Sequence, residues 1–351
     1  MTSDIRIRVV ASTPISEELI ARVISIEPRV DFISRQDLLP PMRHPGDHGG
    51  DPEFRRTTEQ QAEFDDLVDS AEALYGVPGE NPSELSRTVS ANPRLRFVQT
   101  MPAGGGAQVA KAALSTEQLS RIAFSTSAGV HAQPLAEFAL FGLLAGAKSL
   151  PRLLNQQADR QWSDRWTMGL ICEQTILIVG LGSIGRATAI KLSALGATVI
   201  GTSRHPVEVE GVSRIIHPDD IVNVIGTVHG VVITLPGTAT TEGLLSAAVF
   251  DRVTPGTTLV SVGRGTVIDE TALIAALADG RIGFAALDVF ASEPLVSDSP
   301  LWSSPRVLIS PHTAALNVAE DRLIAELFAE NCRRLLDGEE LINRVNTHEF
   351  Y

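Results

Sequence analysis

Two cysteines in 351 residues, Cys172 and Cys332, form neither a C-x-x-C pair nor an even disulfide framework. That scarcity argues against a disulfide-stapled secreted scaffold and fits a reduced, cytoplasmic setting. Positive charge is scarce as well. Lys and Arg number 29 against 42 Asp and Glu, a formal net charge of −13. Such a balance disfavours nucleic acid or an anionic membrane surface as a partner. It also means that an anionic substrate would need one specific cation to receive it.

Long apolar runs are missing too. The most apolar stretch, Phe138 to Ala147, is far too short to cross a bilayer and contains two glycines. The first residues, with Asp4, Arg6 and Arg8, have no apolar segment of the signal-peptide kind, so no signal peptide is expected. There is no H-E-x-x-H, no G-x-x-x-x-G-K-[ST], and no glycine two positions before Ser183 to make a nucleophile elbow. His44, Asp47, His48 and Asp51 fall in a glycine-rich segment at spacings that match no metal-ligand motif. The expectation there is a solvated insertion, Leu39 to Gln61, and no metal.

What is present reads as a globular α/β chain. Hydrophobic residues make up 44% and charged residues 20%, and the length accommodates two domains, each with its own core. Strands are predicted at Ile5–Ala11, 31–34, 73–76, 95–100 and 122–125, with a helix from Pro14 to Ile24. A long helical pattern follows from Pro134 to Leu154, then Trp162 and Trp166 in a polar context suited to packing or a subunit contact. A second alternation predicts strands at 176–180, 198–203, 230–235, 258–263, 283–289 and 307–310. An amphipathic helix from Ala319 to Leu336 closes at Asp337-Gly338. The fold class expected is two doubly wound parallel-sheet domains, Rossmann-like and flavodoxin-like, with a cleft between them.

The chemistry begins after the strand ending at Val179. Gly180, Gly182 and Gly185 have the G-x-G-x-x-G spacing, and a helix follows from Arg186 to Leu195. The first glycine permits a tight turn, the second lets backbone approach a pyrophosphate, and the third lets helix and strand pack closely. The start of the helix, with Ser183 and Ile184, would turn amides and the dipole's positive end toward the phosphates. The next strand ends in Ser203-Arg204, where NAD-binding folds usually carry an acidic residue. Serine and arginine would donate to a 2′-phosphate where a carboxylate would repel it, so NADP(H) is expected over NAD(H), with NAD(H) still possible.

Three further segments lie at predicted strand ends. They are Ser261-Val262-Gly263-Arg264-Gly265, Leu287-Asp288-Val289-Phe290 with Glu293-Pro294, and Ser310-Pro311-His312-Thr313-Ala314. An arginine between two glycines presents an open fork for a carboxylate. Singly, each has a plain structural reading: a surface ion pair, a turn carboxylate, a helix-start residue. Together with the glycine fingerprint, their order resembles the D-isomer-specific 2-hydroxyacid dehydrogenase family, closest in flavour to its glyoxylate/hydroxypyruvate reductases. The resemblance runs from about Leu95 to the C-terminus.

That resemblance implies a role for each residue. Arg264 would hold the substrate carboxylate and polarise the keto oxygen, and His312 would pass the proton. Glu293 would orient the imidazole and favour its protonated form. Asp288 would meet the nicotinamide carboxamide, and Thr234-Leu235-Pro236 with Val262 and Gly263 would line the cofactor. Ala103-Gly104-Gly105, followed by Gly106, stands where the family's loop offers amides to the substrate, and the extra glycines suggest a floppier loop. Residues 1–125 with 313–351 would form the substrate domain, 126–312 the dinucleotide-binding domain. Gly129 to Glu137 resembles the entry into the family's long dimer helix, so a homodimer is expected.

Two other readings stay open. One is an NAD-linked dehydrogenase of another small anion, of phosphoglycerate or formate type. The other is a non-catalytic dinucleotide-sensing protein like the C-terminal-binding corepressors, which share the fold and the arginine, glutamate and histidine.

Overall fold

The computed structural model describes residues 6–350. The chain divides into two compact units. One takes in residues up to His131 and from Leu316 onward, the other Ala132–Ala315.

The first unit is built on five short strands: β1 (Ile7–Ala11), β2 (Val30–Ile33), β3 (Ala73–Tyr75), β4 (Phe97–Gln99) and β5 (Ala123–Ser125). They lie parallel in the order β2-β1-β3-β4-β5, the flavodoxin-like arrangement. Ile5 lies outside the described residues. The first helix starts later than expected, at Glu17, because the Ser16 hydroxyl accepts from the Leu19 amide and caps it. The chain's last helix, Glu320–Asp337, returns to this unit. Its Phe328 meets Tyr75 edge-on at 5.2 Å and stacks on Phe97 at 5.6 Å, while Ile324, Ala325, Ala329 and Cys332 fill the same core. Burial pushes the Cys332 thiol well above its usual range.

The insertion is neither as long nor as solvated as expected. A capping box at Thr57 and Gln60 starts a helix at Thr58, inside the predicted loop. Within the remaining loop Asp47 is buried on the Arg43 guanidinium, and His48 is nearly so. Among the described residues no group of three or more His, Cys, Asp or Glu could hold a metal ion.

The second unit has seven parallel strands: β6 (Thr175–Val179), β7 (Thr198–Thr202), β8 (Arg214–Ile216), β9 (Gly230–Ile233), β10 (Thr257–Ser261), β11 (Ile282–Leu287) and β12 (Val307–Ile309). Their order, β12-β11-β10-β9-β6-β7-β8, is doubly wound with the switch between β6 and β9. β6 shows why. Ile176 and Ile178 join Leu135, Ala139 and Leu143 of the helix Ala132–Ala147 on one face. Leu177 and Val179 join Leu273 and Ala276 of the helix Glu270–Ala278 on the other. A strand buried on both sides needs the uninterrupted apolar run that the sequence has.

Two expectations are corrected here. The pattern 134–154 is two helices, broken at Ser149, whose backbone takes φ 56°, before Leu150–Ala158. Strand β8 was not expected: its three residues are too short and too partially buried to stand out. No helix among the described residues is long and apolar enough to cross a membrane.

Candidate active site

The expected site residues of the second unit sit at the carboxyl ends of its strands. Gly180 leaves β6 at φ 107°, a conformation open to glycine. A Cβ on Gly185 would stand 2.0 Å from the Gly180 carbonyl oxygen, so helix and strand touch backbone to backbone there. At Gly182 the opposite holds: a Cβ would meet nothing within 4 Å. That space lies before the helix Ser183–Ala194, whose first amides face it with no side-chain cap from Gly182. A diphosphate fits this cradle, and a side chain at 182 would fill it. Across the switch point the Thr234 hydroxyl donates to the Gly180 carbonyl at 2.7 Å and fixes the start of Thr234-Leu235-Pro236.

At the end of β7 Ser203 and Arg204 are accessible. The Ser203 hydroxyl donates to the His205 carbonyl at 2.7 Å and accepts the His205 amide at 3.2 Å, which tightens the turn. A groove of about 590 Å³ opens beside it, lined by residues including Ser203, Arg204 and His217.

Beyond β10, Val262 is buried and Gly263 faces the Leu235 backbone, where a Cβ would come within 2.5 Å of its oxygen. Gly265 is closer still, 1.9 Å from the Phe290 carbonyl carbon. Both flanks of Arg264 are thus pinned by backbone contact, while the arginine itself is exposed, with Nη1 donating to the Gly263 carbonyl at 2.8 Å.

His312 follows β12 with φ 54°, in the left-handed region. Asp288, buried at the end of β11, holds it there. The Asp288 Oδ1 accepts the Ser310 hydroxyl at 2.6 Å and the amides of Thr313 and Ala314 at 2.9 and 3.0 Å, and the His312 amide donates to its carbonyl at 3.0 Å. Strain of this kind persists where surrounding bonds over-determine it. The imidazole Nδ1 meets Glu293 Oε2 at 2.7 Å, and the other oxygen of Glu293 accepts the Phe290 amide at 3.0 Å. Burial would raise the Glu293 carboxyl. The His312 contact, the Phe290 amide and the charges of His312 and Arg264 outweigh it and hold the carboxyl below its usual range. The arginine's charge is therefore felt at the same carboxylate that anchors the histidine.

In the first unit, Ala103 and Gly104 are exposed after β4. Gly105 is not a loose link: a Cβ would overlap the Thr100 hydroxyl at 1.8 Å, its amide donates to the Pro102 carbonyl at 3.1 Å, and a helix starts at Gly106. Trp166 lies under Arg152, 4.0 Å from guanidinium carbon to ring centre, whereas Trp162 is fully exposed at 101%. Sequence reasoning missed His217, because it follows the unrecognised strand β8.

Comparison with known proteins finds similar chains among the 2-hydroxyacid dehydrogenases. Residues 140–314 match the D-isomer specific 2-hydroxyacid dehydrogenase NAD binding domain. A glyoxylate/hydroxypyruvate reductase A of Serratia proteamaculans (strain 568) is 32% identical over 56% of this chain and 64% of its own length. A D-3-phosphoglycerate dehydrogenase of Mycobacterium bovis is 29% identical over 74% of this chain and 49% of its own length. The chain thus spans between about half and just under two thirds of these curated relatives. A D-isomer specific 2-hydroxyacid dehydrogenase of Xanthobacter autotrophicus Py2, solved in complex with NADPH and MES, superposes with a TM-score of 0.77 at 28% identity, covering 99% of this chain and 100% of that one. Residues 140–314 thus carry the NAD binding domain of the D-isomer-specific 2-hydroxyacid dehydrogenase family, and the chain shares its fold with a solved member of that family over its described length.

Proposed function

We propose that this protein reduces small 2-oxo acids with NADPH. The observation that carries the reading is the His312–Glu293 pair at 2.7 Å beside the exposed Arg264, at strand ends of the NAD-binding unit. Arg264 would clamp the substrate carboxylate and polarise the keto oxygen. Glu293 ties up Nδ1 of His312, so Nε2 is the atom that delivers a proton to that oxygen. A bound nicotinamide supplies the hydride to the keto carbon. Gly182, Ser183 and Ile184 would hold the diphosphate, and Thr234, Leu235, Pro236, Val262 and Gly263 the nicotinamide side.

NADP(H) is favoured because Ser203 and Arg204 would stand at the ribose end, with no acidic residue at the strand terminus, and because the Xanthobacter relative was solved with NADPH. Exposed Phe141, Leu154, Trp162 and Leu170 support a homodimer, and the two free cysteines a cytoplasmic setting. Steady-state oxidation of NADPH and NADH across glyoxylate, hydroxypyruvate, pyruvate and longer 2-oxo acids tests the function. Turnover with at least one acid, and a loss of about 10²–10⁴ in kcat for His312→Gln, is the expected result. No turnover with any acid would favour the dinucleotide-sensing reading, and a large NADH preference would refute the role given to Ser203 and Arg204.

A further inference from the structure

Strand β8 brings a residue to the cofactor groove that the β7 segment alone does not suggest. β7 and β8 run parallel with Thr202 opposite Ile216, and the Ser203 amide donates to the Ile216 carbonyl at 3.0 Å. Ser203-Arg204 and His217 therefore emerge side by side from neighbouring strands at the sheet's carboxyl edge. The groove between them is lined by Arg204, His205, Glu208 and His217 over an apolar floor that includes Val207 and Ile215.

We propose that His217 is a second cationic contact for the 2′-phosphate of NADP(H), and that it makes the discrimination between NADP(H) and NAD(H) depend on pH. The proposal rests on the cofactor reading given above. Arg204 carries a fixed charge, and an imidazole ordinarily loses its charge near pH 6.5. A phosphate monoester takes its second charge near pH 6. In the range where a phosphate monoester has become a dianion, an imidazole donor in general passes from charged to neutral.

The groups around the ring fit this assignment. Asp219 Oδ2 lies 3.2 Å from His217 Nδ1, and the Asp219 amide reaches the same nitrogen at 3.4 Å. That side of the ring is occupied, so Nε2 is the nitrogen left to meet a ligand. Glu208, from the segment between β7 and β8, shares the groove and opposes an anion, so Arg204 alone faces a carboxylate competitor. His205 lines the groove too, though its backbone is committed to the Ser203 turn.

The test is binding. Isothermal titration with adenosine 2′,5′-bisphosphate and with 5′-AMP compares wild type, His217→Asn, His205→Asn and Arg204→Gln. For wild type, affinity for the bisphosphate is expected to fall about five- to tenfold from about pH 6.5 to about pH 8, with 5′-AMP changing less than about twofold. His217→Asn removes that fall, His205→Asn keeps it, and Arg204→Gln weakens the bisphosphate at both pH values. Thermal melts check that the exposed substitution at 217 leaves the fold intact. Phosphate titration on its own would make binding tighter with rising pH, so the sign is diagnostic. A pH-independent wild type, or a His217→Asn protein that keeps the slope, overturns the proposal. A bisphosphate that binds no tighter than 5′-AMP at any pH refutes the cofactor reading instead.

Discussion

His131 Nε2 lies 2.9 Å from Glu320 Oε1, with the glutamate side chain only 3% exposed. His131 is the last residue of the first unit before the chain leaves it, and Glu320 opens the helix just after the chain returns. The insertion docks on the same point. His48 Nε2 stands 3.8 Å from Glu320, the Gly46 amide donates to Asp321 at 3.1 Å, and a Cβ on Gly46 would press on the Glu320 carboxylate at 3.0 Å. Three distant stretches of chain thus meet at one buried carboxylate.

Acid stability should report this contact. Burial works to raise the Glu320 carboxyl, but His131 and His48 overcome it and bring it down to about 2 from an ordinary 4.5. A depressed carboxyl contributes stability above its unfolded value, and that contribution disappears as pH falls from about 4.5 toward about 2. Glu320→Gln should therefore lower stability at neutral pH by about 3 kcal/mol and flatten the acid slope. Asp321 acts in the opposite sense, because burial outweighs the His48 charge and the Gly46 amide and raises its carboxyl. Asp321→Asn should be neutral or stabilising at pH 7. Urea unfolding between pH 2 and pH 7 measures both.

Glu293 offers a catalytic counterpart. Its carboxyl is held below the usual range, so it stays ionised through neutral pH and protonates only on the acid side. Glu293→Gln keeps an acceptor for the Phe290 amide but removes the charge facing His312. On the proposed function we expect kcat for 2-oxo acid reduction to drop by about 10–100-fold with KM for the acid changed only a few-fold, since Arg264 would still receive the carboxylate. A large rise in KM with kcat intact would assign Glu293 to binding.

Asp288 should behave as a positioning residue. Three donors converge on its Oδ1, two of them amides immediately after His312. Asp288→Ala removes the acceptor of all three, leaves the Ser310 hydroxyl unpaired inside the protein, and should destabilise the fold by about 1–3 kcal/mol. Asp288→Asn retains an oxygen that can accept them. It should keep most of the stability while kcat falls, because the turn that carries His312 is held less firmly. Comparing melts and kcat for the pair separates support of the fold from presentation of the imidazole.

How far the sequence was legible follows from what each residue depends on. The buried run 175–179 and the glycines after it could be read locally, since a strand covered on both faces and a turn at φ 107° each impose a residue type at fixed spacing. Arg264, Glu293 and His312 each had a plain structural reading alone and stood out only together, through their order after the glycine fingerprint and its resemblance to a known family. Strand β8 was not legible: Arg214–Ile216 has one buried residue and gains its place only by pairing with β7. The docking of His48 was hidden for a related reason. Its acidic neighbours lie in the last helix, and no local pattern links two segments so distant in sequence.

The glycine fingerprint makes a prediction that separates folding from binding within one motif. Gly185 and Gly182 stand three residues apart, yet their surroundings differ. At 185 a methyl group would collide with the Gly180 carbonyl oxygen at 2.0 Å, whereas at 182 it would enter open space before the helix. Gly185→Ala must push helix from strand in a packed core, at a cost of about 1–3 kcal/mol or more. Gly182→Ala should melt within a degree or two of wild type, because nothing in the protein opposes the methyl group. Its effect should appear only on ligand binding: the stabilisation that NADP(H) gives to wild type, visible as a raised Tm, should be largely lost. If Gly182→Ala kept the full ligand-induced shift, the space in front of the helix would not be where the diphosphate lies. The reading of residues 180–185 as the dinucleotide cradle would then fail while the fold stood.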